Sequence, residues 1–130
     1  MADILKTVTN PLGTLIFKET AANATLVANV FAKTAATLNS VKLDNSANSS
    51  EAVYLKLYEN TNSDGQSITV GTTAPFFIMK APASSSVEMY IPQGMAFSSS
   101  NYTHLAVTTE NGIAGTTAPT GTVQVTLIGS

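Results

Sequence analysis

One histidine, eight carboxylates, six lysines and no cysteine make up the reactive inventory of this chain of 130 residues. His104 falls in an alternating run at 103–109, on the face opposite Leu105 and Val107. A nucleophilic triad needs a base, an orienting acid and a nucleophile in one constellation. No such set is visible around His104, and a zinc site needs several His or Cys ligands. Asp3, Glu19, Asp44, Glu51, Glu59, Asp64 and Glu110 sit near chain ends, strand ends or turns. Only Glu88 lies mid-strand, so a paired-carboxylate hydrolase finds no support. The run Asp44-Asn45-Ser46-Ala47-Asn48-Ser49-Ser50-Glu51 offers oxygens at alternate positions, as a calcium loop does. It lacks the turn glycine, and Glu51 comes too early for a twelve-residue loop. A polar hairpin between two strands is the simpler reading. No catalytic, cofactor-binding or metal-binding residue is assigned, and the chain is expected not to be an enzyme.

The elements that carry these residues read as strands. Val53, Leu55 and Leu57 alternate with Tyr54, Lys56 and Tyr58. The same period of two runs through Val87–Ile91, Leu105–Val107 and 123–128, and means strands with one face on a core. Further strands are expected at 14–19, 25–32, 37–44 and 75–81. Segment 21–36 is ambiguous: its alanines favour helix, whereas its β-branched residues and period of two fit a strand at 25–32. Clusters of Ser, Asn, Asp and Gly between the runs supply turns. About eight short strands at this spacing predict an all-β antiparallel sandwich, jelly-roll-like first and immunoglobulin-like second. Residues 1–13 read as an N-terminal arm and 14–130 as a single β-sandwich domain. Tyr54, Tyr58 and Tyr90 lie on faces expected to point outward, where they would serve an interface or pack against neighbouring strands.

Charge narrows the partners. Only 11% of residues are charged and the net charge is -2, so neutral Ser, Thr and Asn must cover the surface. All the basic residues are scattered lysines (Lys6, Lys18, Lys33, Lys42, Lys56, Lys80). Nucleic-acid binding, which needs a basic footprint, is not expected. The N-terminus lacks the basic and apolar regions of a signal peptide. No apolar run reaches the roughly 18 residues of a membrane helix. Synthesis in a cytoplasm, with no membrane partner, is the expectation. The pentapeptide GTTAP occurs twice, at 71–75 and 115–119, each time after a strand and a Glu-Asn pair. It reads as one loop solution used twice, leading toward a strand, with both copies at one end of the sandwich.

The stretch SVKLDNSANSSEAVYLKLYEN (40–60) resembles a pattern in structural proteins of tailed bacteriophages, including marine phages and cyanophages. The likeness continues through VGTTAPFFIMKAPASSSVEMYIPQGMAFSS (70–99), with its Pro-x-Gly-x-x-Phe-Ser step at Pro92–Ser98. It ends in LAVTTENGIAGTTAPTGTVQVTLIGS (105–130), covering roughly residues 37–130. The resemblance implies a non-enzymatic virion structural protein without cofactors. It points to a capsid decoration or cement protein on the outer surface of the head, where it would bind across adjacent major capsid protein subunits and stabilise the capsid. Self-association as a trimer or dimer on the capsid would suit the lattice. The alternative is a tail, neck or fibre component with a receptor- or glycan-binding tip, for which Asn101, Tyr102 and His104 are the candidates. Contact regions for the decoration role are the arm 1–13, the loop 60–74 and the loop 111–119.

Overall fold

A computed structural model describes residues 13–130; the expected arm therefore lies, but for Gly13, outside the described residues. Seven strands form: β1 (Leu15–Glu19), β2 (Thr37–Asp44), β3 (Val53–Asn60), β4 (Phe77–Ala81), β5 (Ser86–Ala96), β6 (Tyr102–Thr108) and β7 (Gln124–Gly129). They make two antiparallel sheets, ordered β1-β7-β2-β5 and β4-β3-β6. No helix occurs among the described residues.

The eighth strand position exists in reduced form. Val27 and Leu105 exchange backbone bonds of 2.8 and 3.0 Å, Val30 N–H reaches Thr103 O at 2.9 Å, and Val107 N–H reaches Asn23 O at 2.8 Å. Segment 23–30 thus lies along the free edge of β6. Only Val27↔Leu105 counts as a bridge there, because Asn29 and Ala32 adopt positive φ (52° and 55°) and break the extended run. The expected strand at 25–32 is therefore an irregular edge segment, and its helical alternative does not form. With this segment counted, the pairs nest: β1 with β7, the segment with β6, β2 with β5, β3 with β4. That is one long antiparallel ribbon wrapped on itself, closed by β7·β2 and β6·β3, which is the double Greek key of a jelly roll.

Burial follows the alternation. Leu38, Val41 and Leu43 of β2, Val53, Leu55 and Leu57 of β3, Leu105 and Val107 of β6, and Val125 and Leu127 of β7 are fully buried between the sheets. Leu38 and Val41 are three apart, out of phase for a flat strand. A bulge between Leu38 and Ser40 turns both inward. Opposite it, β2 advances from 38 to 40 while β5 advances from 90 to 95, so the Pro92–Gly94 stretch loops out of the ladder. On the long edge strand β5, this kink and Pro92 interrupt the row of free backbone groups that would invite a further strand.

The outer faces differ. Over β4-β3-β6 lie the loops 61–75 and 111–118, with Leu26 of the edge segment 23–30 on the same side. Tyr58, Ile68 and Ala106 form a second apolar cluster there, with Leu26 and Val70 against it. Tyr58, expected to point into solvent, is 1% exposed, and Lys56 and His104 on the same face are fully buried. By contrast, Ile16 and Tyr90 on the outer face of the four-stranded sheet are 73% and 61% exposed.

Candidate functional site

The carboxylates act as loop anchors. Glu19 accepts from Ala21 N–H, Asp44 from Ser46, Glu51 from Thr120, Glu59 from Ser98, Asp64 from Gln66, and Glu110 from Thr116 and Thr117. Each of these oxygens satisfies a loop N–H that no ladder reaches. The bonds from Thr117 and then Thr116 hold the Glu110 carboxyl below its ordinary range. Those from Ser46, aided by Lys42 and Lys18, do the same for Asp44. Asp3 lies outside the described residues. Glu88 stands exposed on the four-stranded sheet opposite Lys42. Among the described residues no three His, Cys, Asp or Glu converge as a metal site would require.

The 44–51 run is an arch, not a hairpin, since β2 and β3 belong to different sheets. Its oxygens and amides are consumed by structure. Buried Asn45 donates to Glu51 O (2.9 Å), Pro82 O (3.1 Å) and Ala81 O (3.4 Å), and its Oδ1 accepts from Asn48 at 2.7 Å. Asn48 in turn accepts from Gly121 N–H. Asn45 and Asn48 thus clasp the arch to the β4–β5 connection and to the approach to β7. A shallow cleft of about 210 Å³ lies beside this clasp, lined by Ala21–Asn23 and Pro119–Thr122. No charged side chain lines it.

The two GTTAP copies meet each other. Gly71 has φ 98°, and a Cβ there would strike the Thr116 methyl of the second copy. They lie over the outer face of the three-stranded sheet rather than at its end. Their local bonding differs. In the first, Thr73 Oγ1 accepts from Thr69 N–H; in the second, Glu110 gathers Thr116 and Thr117. Glu59, the counterpart of Glu110, reaches instead to Ser98. The first copy leads within two residues into β4, whereas the second stops five short of β7. A single loop solution used twice is thus replaced by two different loops in contact.

Beneath them, Lys56 Nζ donates to Gly115 O at 3.2 Å. Burial pushes this amine below its ordinary range, and the Glu110 carboxylate offsets part of the effect. Burial also pushes the Tyr58 phenol up; its hydroxyl has no partner among the described residues. His104 is likewise enclosed, so Asn101, Tyr102 and His104 do not form an exposed glycan site. Of the loops expected as contact regions, 60–74 turns Ile68 and Val70 onto this inner roof, whereas 111–119 keeps Ile113 (46%), Ala114 and Ala118 exposed.

The outer face of the four-stranded sheet carries the two most exposed large apolar side chains among the described residues, Ile16 and Tyr90. Its register sets Ile16, Ile128, Ser40 and Tyr90 in one row, and Lys18, Thr126, Lys42 and Glu88 in the next. Ser40 in the first row is buried and Ile128 half-buried, while Ile16 and Tyr90 stand exposed, which suits association with another protein surface. Tyr90 was visible in the sequence as an outward aromatic. Ile16 was not, because its row is assembled by register between strands more than a hundred residues apart.

No protein-family model, curated protein or solved structure matches this chain.

Proposed function

We propose that this protein is a non-enzymatic structural component of a tailed-phage virion, acting as a capsid decoration protein. The four-stranded sheet would lie against adjacent major capsid protein subunits on the outer surface of the head. The observation that carries this reading is the outer sheet face, where Ile16 and Tyr90 stand exposed in one row with half-buried Ile128. The sequence likeness over 37–130 supplies the phage context. A weakly charged surface also limits repulsion between many closely packed copies. Binding only to the assembled lattice would stabilise it by RT ln(1 + [L]/Kd) per site, a modest term multiplied by copy number.

Ile16→Lys combined with Tyr90→Lys tests the face. Both side chains are largely exposed, so the melting temperature should hold while retention on purified heads drops at least tenfold. Unchanged retention would remove this face from the mechanism. Quantifying the protein in purified virions tests the location. Hundreds of copies per particle fit a head lattice, whereas a handful would assign it to the tail, neck or fibre.

A further inference from the structure

His104 joins three parts of the roof over the three-stranded sheet. Its Nδ1 lies 3.0 Å from Asn29 N–H, and its Nε2 lies 2.9 Å from Asn60 Oδ1. Gly65, with φ 67°, packs so closely that a Cβ there would stand 3.3 Å from Nδ1 and collide with Leu26. The backbone N–H can only donate, so Nδ1 must be the unprotonated nitrogen and Nε2–H must donate to Asn60. Flipping the Asn60 amide does not rescue another arrangement, because a neutral imidazole cannot accept at both nitrogens. The bond to Asn29 therefore exists only while His104 is neutral.

The segment it holds is under strain. Asn29, Ala32 and Ala35 all sit at left-handed φ, between 52° and 55°, where residues with a Cβ are disfavoured. They are kept there by the His104 bond, the two Val27–Leu105 bonds, Val30 N–H to Thr103 O, Ala35 N–H to Asn101 O and the bridge Thr34↔Tyr102, with Val30 and Phe31 buried in the core. Two buried atoms beside the imidazole, Asn29 Oδ1 and Asn60 Nδ2, have no partner among the described residues. A proton on Nδ1 would face the Asn29 N–H donor to donor, while the orphan acceptor Asn29 Oδ1 sits on the same residue. Turning it toward the ring requires the Asn29 backbone to move.

We propose that His104 is an acid-operated latch: gaining a proton at Nδ1 releases the Asn29 amide and lifts the 26–35 segment from the edge of β6, while the rest of the sandwich stays folded. The groups facing the ring set when this happens. Burial disfavours the charged ring and moves its titration below the ordinary 6.5, against the pull of the Asn62 carbonyl and the Asp64 carboxylate. Tyr58, on its own face of the sheet, has its phenol pushed up by burial and stays neutral throughout this range. Segment 26–35 brings one charged residue, Lys33, which is exposed. The folded ring has the depressed pKa, so the neutral latch contributes fully above 6.5 and is lost as pH falls through the folded value.

The test is a pH series on the intact protein from about 7.5 to 5, read by imidazole nitrogen shifts and amide-exchange protection corrected for intrinsic rates. The expected result is a neutral Nε2–H ring at the upper end. As the ring gains its proton, protection at Val27, Asn29 and Val30 should fall about tenfold for each pH unit below the folded value, with Leu55 and Val125 unchanged. Protonation that leaves Asn29 protected would overturn the latch. So would loss of protection everywhere together, or a ring that stays neutral until global unfolding. His104→Gln retains an acceptor for Asn29 but cannot titrate, and should flatten the profile; a profile that persists in this variant also overturns the proposal. If the variant does not fold, the wild-type series decides alone.

Discussion

Tyr54, Lys56 and Tyr58 on β3 and Glu88 and Tyr90 on β5 are written in the same pattern, polar or aromatic residues alternating with apolar ones. On the four-stranded sheet that outer face is open. On the three-stranded sheet the matching face is roofed by the connections, and it buries a tyrosine, a lysine and a histidine. Alternation therefore identifies the side that meets the core; whether the other side is wet depends on where loops of 61–75 and 111–118 come to rest.

Exchanging the two tyrosines for alanine gives the largest contrast. Tyr58→Ala should cost about 3 kcal/mol, as removal of a buried aromatic does, and Tyr90→Ala should stay within about 0.5 kcal/mol. Denaturant midpoints read both, and equal losses would erase the distinction between the faces. Within the roof, Gly71 and Gly112 both hold positive φ (98° and 78°), but only Gly71 has a neighbour in the way. Gly112→Ala should cost about 1 kcal/mol of backbone strain. Gly71→Ala should cost about 2 kcal/mol or more, because its methyl must displace Thr116. Matching values would show that the two GTTAP loops do not touch.

For Lys56 the effect at neutral pH is expected to be small, and pH carries the information. Lys56→Met, which replaces a buried amine with an apolar chain of similar length, should shift stability by no more than about 1 kcal/mol either way. Folded Lys56 gives up its proton before unfolded lysine does at 10.5. The unfolded chain then binds more protons, and wild-type stability rises with pH across that window. Thermal melts between about pH 8 and 10 should show this rise lost in Lys56→Met and kept in Lys42→Met. Above pH 10 the raised Tyr58 phenol opposes it, since the folded state then holds the extra proton.

Much of this was legible in the residues. The span of β2 matches the expected strand end for end, and β1, β3, β6 and β7 differ by a residue or two, because turn residues bound each run. The wrapped-ribbon topology was the first expectation, and the structure realises it with seven strands and one irregular edge segment. Segment 21–36 was ambiguous for a physical reason: its alanines and β-branched residues pull in opposite directions, and left-handed turns at Asn29, Ala32 and Ala35 satisfy neither preference. The 44–51 run looked like a hairpin or a cation loop because a hairpin and an inter-sheet arch use the same turn residues. Only the crossing partners at Ala81, Pro82 and Gly121 distinguish them.

Local spacing was enough to establish an all-β chain and the inward set of Leu and Val, since these depend on period and on residue type. The roof over Lys56, Tyr58 and His104, the meeting of the two GTTAP loops, and the row from Ile16 to Tyr90 came from folding. Each joins residues far apart in the chain, through sheet register and loop placement, and no local period encodes contacts at such separations.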